Sequence, residues 1–322
     1  MFTLFALPKP FIGHFDIIQR NAIKSWINLH PSCEILLFGN DKGTAEVASE
    51  YGLRHIPEIA QNSSGTPLLN DAFAKAQQLA KYPTLCYVNA DIILMQDCTH
   101  AIVQVTQQFD RFLLVGQRWD IDLKETINFS SISEEDFRAQ IRQSSTLHDV
   151  YAIDYFVFSR GVLGTLPPFA VGRAGWDNWM IYRARYQGIP VIDATPSVVI
   201  AHQNHDYSHL EGGQTAAYQG IEALQNRMLA GEESYFNIRD ATHRLTALGP
   251  EFNLEKACLW QRLNRQTSLS RFKGKTLVQH ALFKVLVWAW IILFVSMPFL
   301  AFRKLVYSWL SWSEEKSPQR VA

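Results

Sequence analysis

The feature that most constrains the fold is a rhythm in the first third of the sequence: short, unbroken apolar runs alternate with stretches of helical periodicity. Residues 2–7, 34–38 and 84–88 are the apolar runs, and Arg54–Ile59 reads as a further strand or edge segment. Between the first two, Phe15, Ile18, Ala22, Trp26 and Ile27 fall at helical spacing over 13–29, and Pro31 lies just beyond. A helix over 43–51 closed by Gly52 and another at about 70–80 complete the alternation. A strand without polar alternation must be covered on both faces. The pattern therefore predicts an α/β fold, a mostly parallel sheet flanked by helices. Ligands bind beyond the carboxyl ends of such strands, where Asn40, Asp41, Asn89 and Asp91 stand.

The middle of the chain is more mixed. Strands are expected at 112–116, 154–158, 190–192 and 197–200. Ser133 and Asp136 form a capping-box pattern ahead of a polar helix at about 134–144, and residues 215–230 read as one helix closed by Gly231.

Charge divides the chain in two. Lys plus Arg equal Asp plus Glu overall, yet residues 1–255 carry a balance of −9 and residues 256–322 a balance of +9. The basic part surrounds the charge-free run Val285–Phe302, with Lys284 before it, Arg303 and Lys304 after it, and Trp288, Trp290, Trp309 and Trp312 nearby. As a helix that run would extend about 27 Å, near the lower limit for crossing a bilayer. A single span, an in-plane anchor and a helix packed on the α/β domain all fit the pattern. Basic residues around an apolar run do not line a polar groove, so nucleic-acid binding is not expected. Residues 1–7 lack a basic start, and Pro8 and Pro10 interrupt them, so no signal peptide is expected and the α/β domain is placed in the cytoplasm. Cys33, Cys86, Cys98 and Cys258 show no paired spacing, which argues for structural thiols in a reducing compartment.

Three segments carry chemistry. In Val88-Asn-Ala-Asp91 a strand ends in a carboxylate with an amide two residues earlier. Magnesium or manganese is commonly shared between such carboxylates and substrate phosphates, although a turn with local backbone bonds has the same sequence. Asp177 lies between Trp176 and Trp179 at the start of a helix. It could take a proton from a sugar hydroxyl or simply cap the helix over two core tryptophans. His202, His205 and His209 follow an apolar strand within eight residues, and imidazole is a common metal ligand; a solvated polar loop is the plainer reading.

Taken in order, these segments resemble the GT-A fold of nucleotide-sugar-dependent glycosyltransferases over about residues 1–210. The resemblance implies a GT-A-like, Rossmann-type sheet and a divalent cation, Mn2+ or Mg2+, on the donor diphosphate. Asn89-Ala-Asp91 matches the Asp-x-Asp metal motif, Asp177 the later acidic position and His202 the closing metal ligand, with His205 as its neighbour. The sequence departs at Asn89, which leaves Asp91 as the carboxylate of that motif. It departs again at Trp176-Asp177, where inverting members commonly carry a Glu-Asp pair. By the same resemblance Ala6, Pro8, Lys9, Asn40, Asp41, Thr66, Asn70 and Asp71 border the nucleotide. Arg118, Trp119, Asp154, Trp176, Asn178 and His205 lie toward the transferred sugar or its acceptor.

The expected activity is transfer of a sugar from a nucleotide-diphosphate donor to a hydroxyl of a glycan, lipid or small-molecule acceptor. Residues 1–245 form the catalytic domain, 246–280 a basic helical linker, 281–312 an apolar membrane-associated helix and 313–322 a tail. Two alternatives share the sheet: a non-catalytic nucleotide-sugar or glycan-binding relic, and a sugar-nucleotide pyrophosphorylase. The second needs a Gly-rich loop after the first strand, where this chain has Pro8-Lys-Pro-Phe11. A hydrolase built on the histidines lacks a His-Glu-x-x-His motif.

Overall fold

The computed structural model describes residues 1–208, 210–231 and 235–271. Its elements in chain order are β1 (Thr3–Ala6), α1 (His14–Ile27), β2 (Glu34–Phe38), α2 (Thr44–Glu50), β3 (Arg54–Ile56), α3 (Leu69–Leu79), β4 (Thr84–Val88), β5 (Ile92–Ile93), α4 (Gln96–Thr106), β6 (Leu113–Val115) and β7 (Trp119–Ile121). There follow α5 (Glu134–Ser144), β8 (Thr146–Leu147), β9 (Tyr155–Ser159), α6 (Trp176–Tyr186), β10 (Val191–Asp193), β11 (Ala201–Gln203), α7 (Gly213–Gln219), α8 (Ile221–Ala230), β12 (His243–Thr246), β13 (Gly249–Phe252) and α9 (Lys256–Arg271).

The main sheet runs β13-β12-β10-β6-β9-β4-β1-β2-β3. β3, β2, β1 and β4 are mutually parallel, as are β6, β10 and β12; β9 is antiparallel to both β4 and β6 and joins the two halves. Because successive strand residues face opposite sides, each unbroken apolar run feeds two cores. Leu4, Ala6, Leu37, Cys86 and Val88 pack with Trp26 of α1, Val47 of α2 and Ile102 of α4. Phe5, Leu36, Phe38, Leu85 and Tyr87 pack with Phe73 of α3 and Met180 of α6. On that second side the Phe5 ring meets Phe38, Phe73, Tyr87 and Phe158 edge to face, the arrangement aromatic quadrupoles favour.

A smaller sheet, β5-β11-β7-β8, stands beyond the carboxyl end of β4 and is backed by Phe137 and Ile141 of α5. It turns the open edge of the main sheet into a walled cleft.

The sequence pattern misplaces two elements. Residues 197–200 are not a strand: after a turn in which Ser197 and Val198 donate to the Ala194 carbonyl, the chain crosses from one core to the other, and the strand is 201–203. Apolar character there reflects burial between two sheets, with Val198 and Ile200 in one core and Val199 and Ala201 in another. His202 consequently lies within β11 and not after a strand. Residues 215–230 form two helices, because Gly220 takes an extended conformation (φ −67°, ψ 171°) that breaks the helical path. The α4 helix lacks a sequence prediction altogether. The main sheet continues past the expected boundary at residue 245 through the β12–β13 hairpin, and α9 covers that end.

The apolar run 285–302 and its basic flanks lie outside the described residues. Among the described residues, no helix is long and apolar enough to cross a membrane. The four cysteines are all free.

Candidate metal and diphosphate site

Three polar side chains with almost no solvent access build the floor of the cleft. Gln203 of β11 donates from Nε2 to the carbonyls of Ile18 (2.7 Å) and Asp91 (3.0 Å), and its Oε1 accepts from Asn21 Nδ2 at 3.0 Å. Gln19 grips the loop after β1 from both sides: its Oε1 accepts from the Lys9 amide at 2.6 Å and its Nε2 donates to the Lys9 carbonyl at 2.9 Å. A buried amide side chain stays in place because losing any partner strands a desolvated polar group. α1, the turn after β4 and β11 are thereby locked to one another, and Lys9, Asp91 and His202 are fixed with them.

Asp91 sits at the centre. Its side chain is 6% exposed, its Oδ2 lies 2.9 Å from Lys9 Nζ and 3.2 Å from His205 Nε2, and its Oδ1 is buried without a hydrogen-bond partner. Burial pushes this carboxyl upward, but Lys9, His205 and His202 outweigh it and hold it well below the usual range. The ligand atoms of Asp91, His202 and His205 lie within 4.8 Å of one another. His202 Nδ1 lies 3.3 Å from Asp120 Oδ1 without hydrogen-bond geometry, and Asp120 also contacts His148 Nδ1.

A divalent ion fits this donor set. One carboxylate and two imidazoles converge, an orphaned carboxylate oxygen is among them, and such a set leaves positions open for phosphate oxygens. The two nitrogen donors favour Mn2+ over Mg2+, which prefers an all-oxygen shell.

Asn89 stands outside the cluster for a reason visible in its bonds. Its Nδ2 donates to Asp154 Oδ1 at 2.6 Å, while its Oδ1 accepts from the Tyr87 hydroxyl at 3.1 Å. An aspartate at 89 would set two carboxylates against each other. Asp154 is neutralised instead by Arg118, whose Nη1 lies 2.8 Å from Asp154 Oδ2 and whose Nε lies 2.9 Å from Asp120 Oδ1. The departure from the Asp-x-Asp pattern is thus part of a buried network running from Tyr87 through Asn89, Asp154 and Arg118 to Asp120.

Asp177 lies in the first turn of α6, after Gly175 in the left-handed conformation at φ 108°. Its Oδ1 is buried and unpartnered. Burial raises its carboxyl to about 7, helped by the nearby Asp154 charge and opposed by the backbone amides of Gly175, Asp177 and Asn178. The Tyr87 hydroxyl is pushed upward by burial, with the charges of Asp91, Asp154 and Asp177 adding to the effect. Between its unfolded value near 4 and its folded value near 7, Asp177 binds more protons folded than unfolded, and stability must fall as pH rises through that window. Urea midpoints of the wild type should therefore decline from pH 4 to pH 7 relative to those of Asp177→Asn. Parallel curves for the two proteins would show that this carboxyl is not raised.

The remaining predicted residues divide. Ala6 and Pro8 are buried at the end of β1 beside Lys9, and the Asn70 Oδ1 is buried without a partner. Asn40 and Asp41 are exposed beyond β2. Asp71 accepts from the Ala60 amide and pairs with Lys75, and the Thr66 amide donates to Asn62, which is braced by Glu222 of α8. Trp176 is buried against Tyr87 and Phe156, Asn178 donates into the core to the Phe236 and Tyr151 carbonyls, and Trp119 packs at the edge of the small sheet's core. His209 lies outside the described residues. Gln19, Asn21, Gln203, Tyr87 and Asp120 went unpredicted. For the first three the one signal was glutamine or asparagine at otherwise apolar helix and strand positions. A cavity of about 900 Å³, lined by Pro10, Ile12, Phe15, Asp122, Asn204 and His205, opens beside the cluster.

No family model matches the sequence, and no curated protein does. Solved structures do match by shape. S. aureus TarS 1-349 in complex with UDP-GlcNAc aligns with a TM-score of 0.47 and 12% identity, over 85% of this chain and 74% of that one. Glucosyl-3-phosphoglycerate synthase from Mycobacterium tuberculosis, in complex with Mn2+, UDP and phosphoglyceric acid, aligns at 0.40 and 14%, over 64% and 71%. GalNAc-T7 with UDP, GalNAc and Mn2+ aligns at 0.42 and 15%, over 68% and 44%. This chain resembles GT-A glycosyltransferases. In another TarS 1-349 structure the match spans 58% of that chain.

Proposed function

We propose that the protein transfers a sugar from a nucleotide-diphosphate donor to an acceptor hydroxyl. The observation that carries this reading is the convergence of Asp91, His202, His205 and Lys9 beyond the carboxyl end of β4, where a diphosphate would meet one carboxylate, two imidazoles and an ammonium. A divalent ion held by Asp91, His202 and His205 would supply positive charge to the departing diphosphate.

The chain's own groups do the rest. The Lys9 ammonium, on a loop clamped by Gln19, can donate to phosphate oxygens as the bond from the anomeric carbon to the diphosphate oxygen breaks. Asp177 is the acceptor-side base: as the new bond forms from the acceptor oxygen, the hydroxyl proton passes to its carboxylate. Its value near 7 keeps a large fraction ionised at neutral pH and still able to hold the proton it receives. Arg118 fixes Asp154 and Asp120 around this centre through its two ion pairs. Trp176 and Asn178 hold the start of α6, and so Asp177, in position.

The test is a thermal-shift and hydrolysis screen of nucleotide-diphosphate sugars with and without Mn2+. At least one donor should raise the melting temperature and be hydrolysed slowly in the presence of Mn2+. Stabilisation without any turnover, with every acceptor class supplied, would make the protein a nucleotide-sugar-binding module. No stabilisation by any donor would remove the assignment.

A further inference from the structure

The position a metal ion would take in this cluster already has an occupant. Lys9 Nζ lies 2.9 Å from Asp91 Oδ2 and 2.9 Å from His205 Nε2. These are the same two atoms a metal ion held by Asp91 and His205 would need. An ammonium within hydrogen-bond distance of both and a divalent ion bound to both cannot share one position. Lys9 is also held there: Gln19 fixes its backbone on both sides, and its ammonium lies 5.2 Å from the centre of the Phe15 ring.

We propose that Lys9 is a built-in cation that competes with the divalent ion for Asp91 and His205, so that the metal binds weakly until a diphosphate draws the ammonium away. This rests on the transferase reading and deepens it. The side chain is long enough to turn from the carboxylate to a phosphate oxygen without moving its clamped backbone. Its departure then exposes both ligand atoms at the moment the diphosphate supplies further oxygens for the ion. Metal and nucleotide are thereby coupled through one side chain, and the coupling must act equally in both directions. A protein built this way keeps the Asp91 charge neutralised between turnovers and admits the ion together with the donor.

The experiment is calorimetric titration of Mn2+ into the full-length protein, alone and with saturating UDP, for wild type, Lys9→Met and Lys9→Gln, with circular dichroism to confirm folding. Lys124→Met, at the adjoining cavity, controls for a general loss of positive charge. Without UDP, both Lys9 variants should bind Mn2+ at least tenfold more tightly than wild type, and adding Asp91→Asn to Lys9→Met should abolish the gain. The ratio of Mn2+ affinities with and without UDP should be smaller in the Lys9 variants than in wild type. Equal Mn2+ binding by wild type and both Lys9 variants, or an equal gain from Lys124→Met, overturns the competition and leaves the transferase reading standing. Absence of Mn2+ binding in every protein, with and without UDP, overturns both.

Discussion

Replacing Asp91 with alanine is expected to lower glycosyl transfer by roughly 10³-fold, the scale on which an enzyme loses rate when a preorganised charge at the developing anion is removed. The fold should survive. Asp91 contributes to the architecture through its backbone carbonyl, which accepts from Gln203 and is untouched by the substitution. The Lys9 ammonium freed by the change is partly solvated and retains His205. Activity should therefore collapse while the far-ultraviolet circular dichroism stays native. Asp91→Asn, which keeps the shape and removes the charge, should be nearly as inactive. Retention of more than a tenth of wild-type turnover by Asp91→Ala would place the chemistry elsewhere.

The second large effect concerns stability. Arg118→Met should destabilise the protein by about 3–5 kcal/mol, the usual result of stripping one partner from a buried ion pair. Arg118 and Asp154 are 15% and 8% exposed in their side chains, and the same guanidinium also holds Asp120. Without it, the Asp154 carboxylate is left with the amide of Asn89, beside the carboxyl of Asp177 that its charge already raises. Chemical denaturation of the two proteins measures the difference. A loss under about 1 kcal/mol would mean that solvent already screens these acids. Transfer should also fall, since the network that positions Asn89 and Asp154 loses its centre.

These two outcomes separate the roles that acidic residues play in the cleft. Asp91 is held ionised by the cations around it, whereas Asp154 and Asp120 are tied together by the Arg118 guanidinium. Asp177 differs from both, since burial raises its carboxyl to about 7, the range the proposed acceptor-side base requires.

The sheet was legible because local chemistry repeats. Strands buried on both faces must be apolar throughout, so residues 34–38 and 84–88 announce themselves, and the helices between them carry their periodicity openly. The Ser133 cap was readable for the same reason: its hydroxyl oxygen accepts from the Asp136 amide, an interaction confined to four residues. Where apolar character had another cause, the reading failed. Residues 198–200 are buried between two cores without forming a strand of their own, and Gly220 divides a helix whose two halves share one periodicity.

The sequence by itself determined the alternation that makes an α/β sheet, and the residue types, carboxylate, imidazole and ammonium, that stand at or near its carboxyl edge. Local periodicity and the chemistry of single side chains suffice for that. Only the tertiary structure decided which of them meet. Lys9, Asp91 and His205 are 82 and 114 positions apart along the chain; contact at such separation is set by which strands pair and by how buried Gln19 and Gln203 lock α1, the turn after β4 and β11 together. The same holds for Asn89, whose place opposite Asp154 makes an amide the fitting residue where an Asp-x-Asp pattern has an acid. Function here lies in the long-range placement of charges, which no short stretch of sequence encodes.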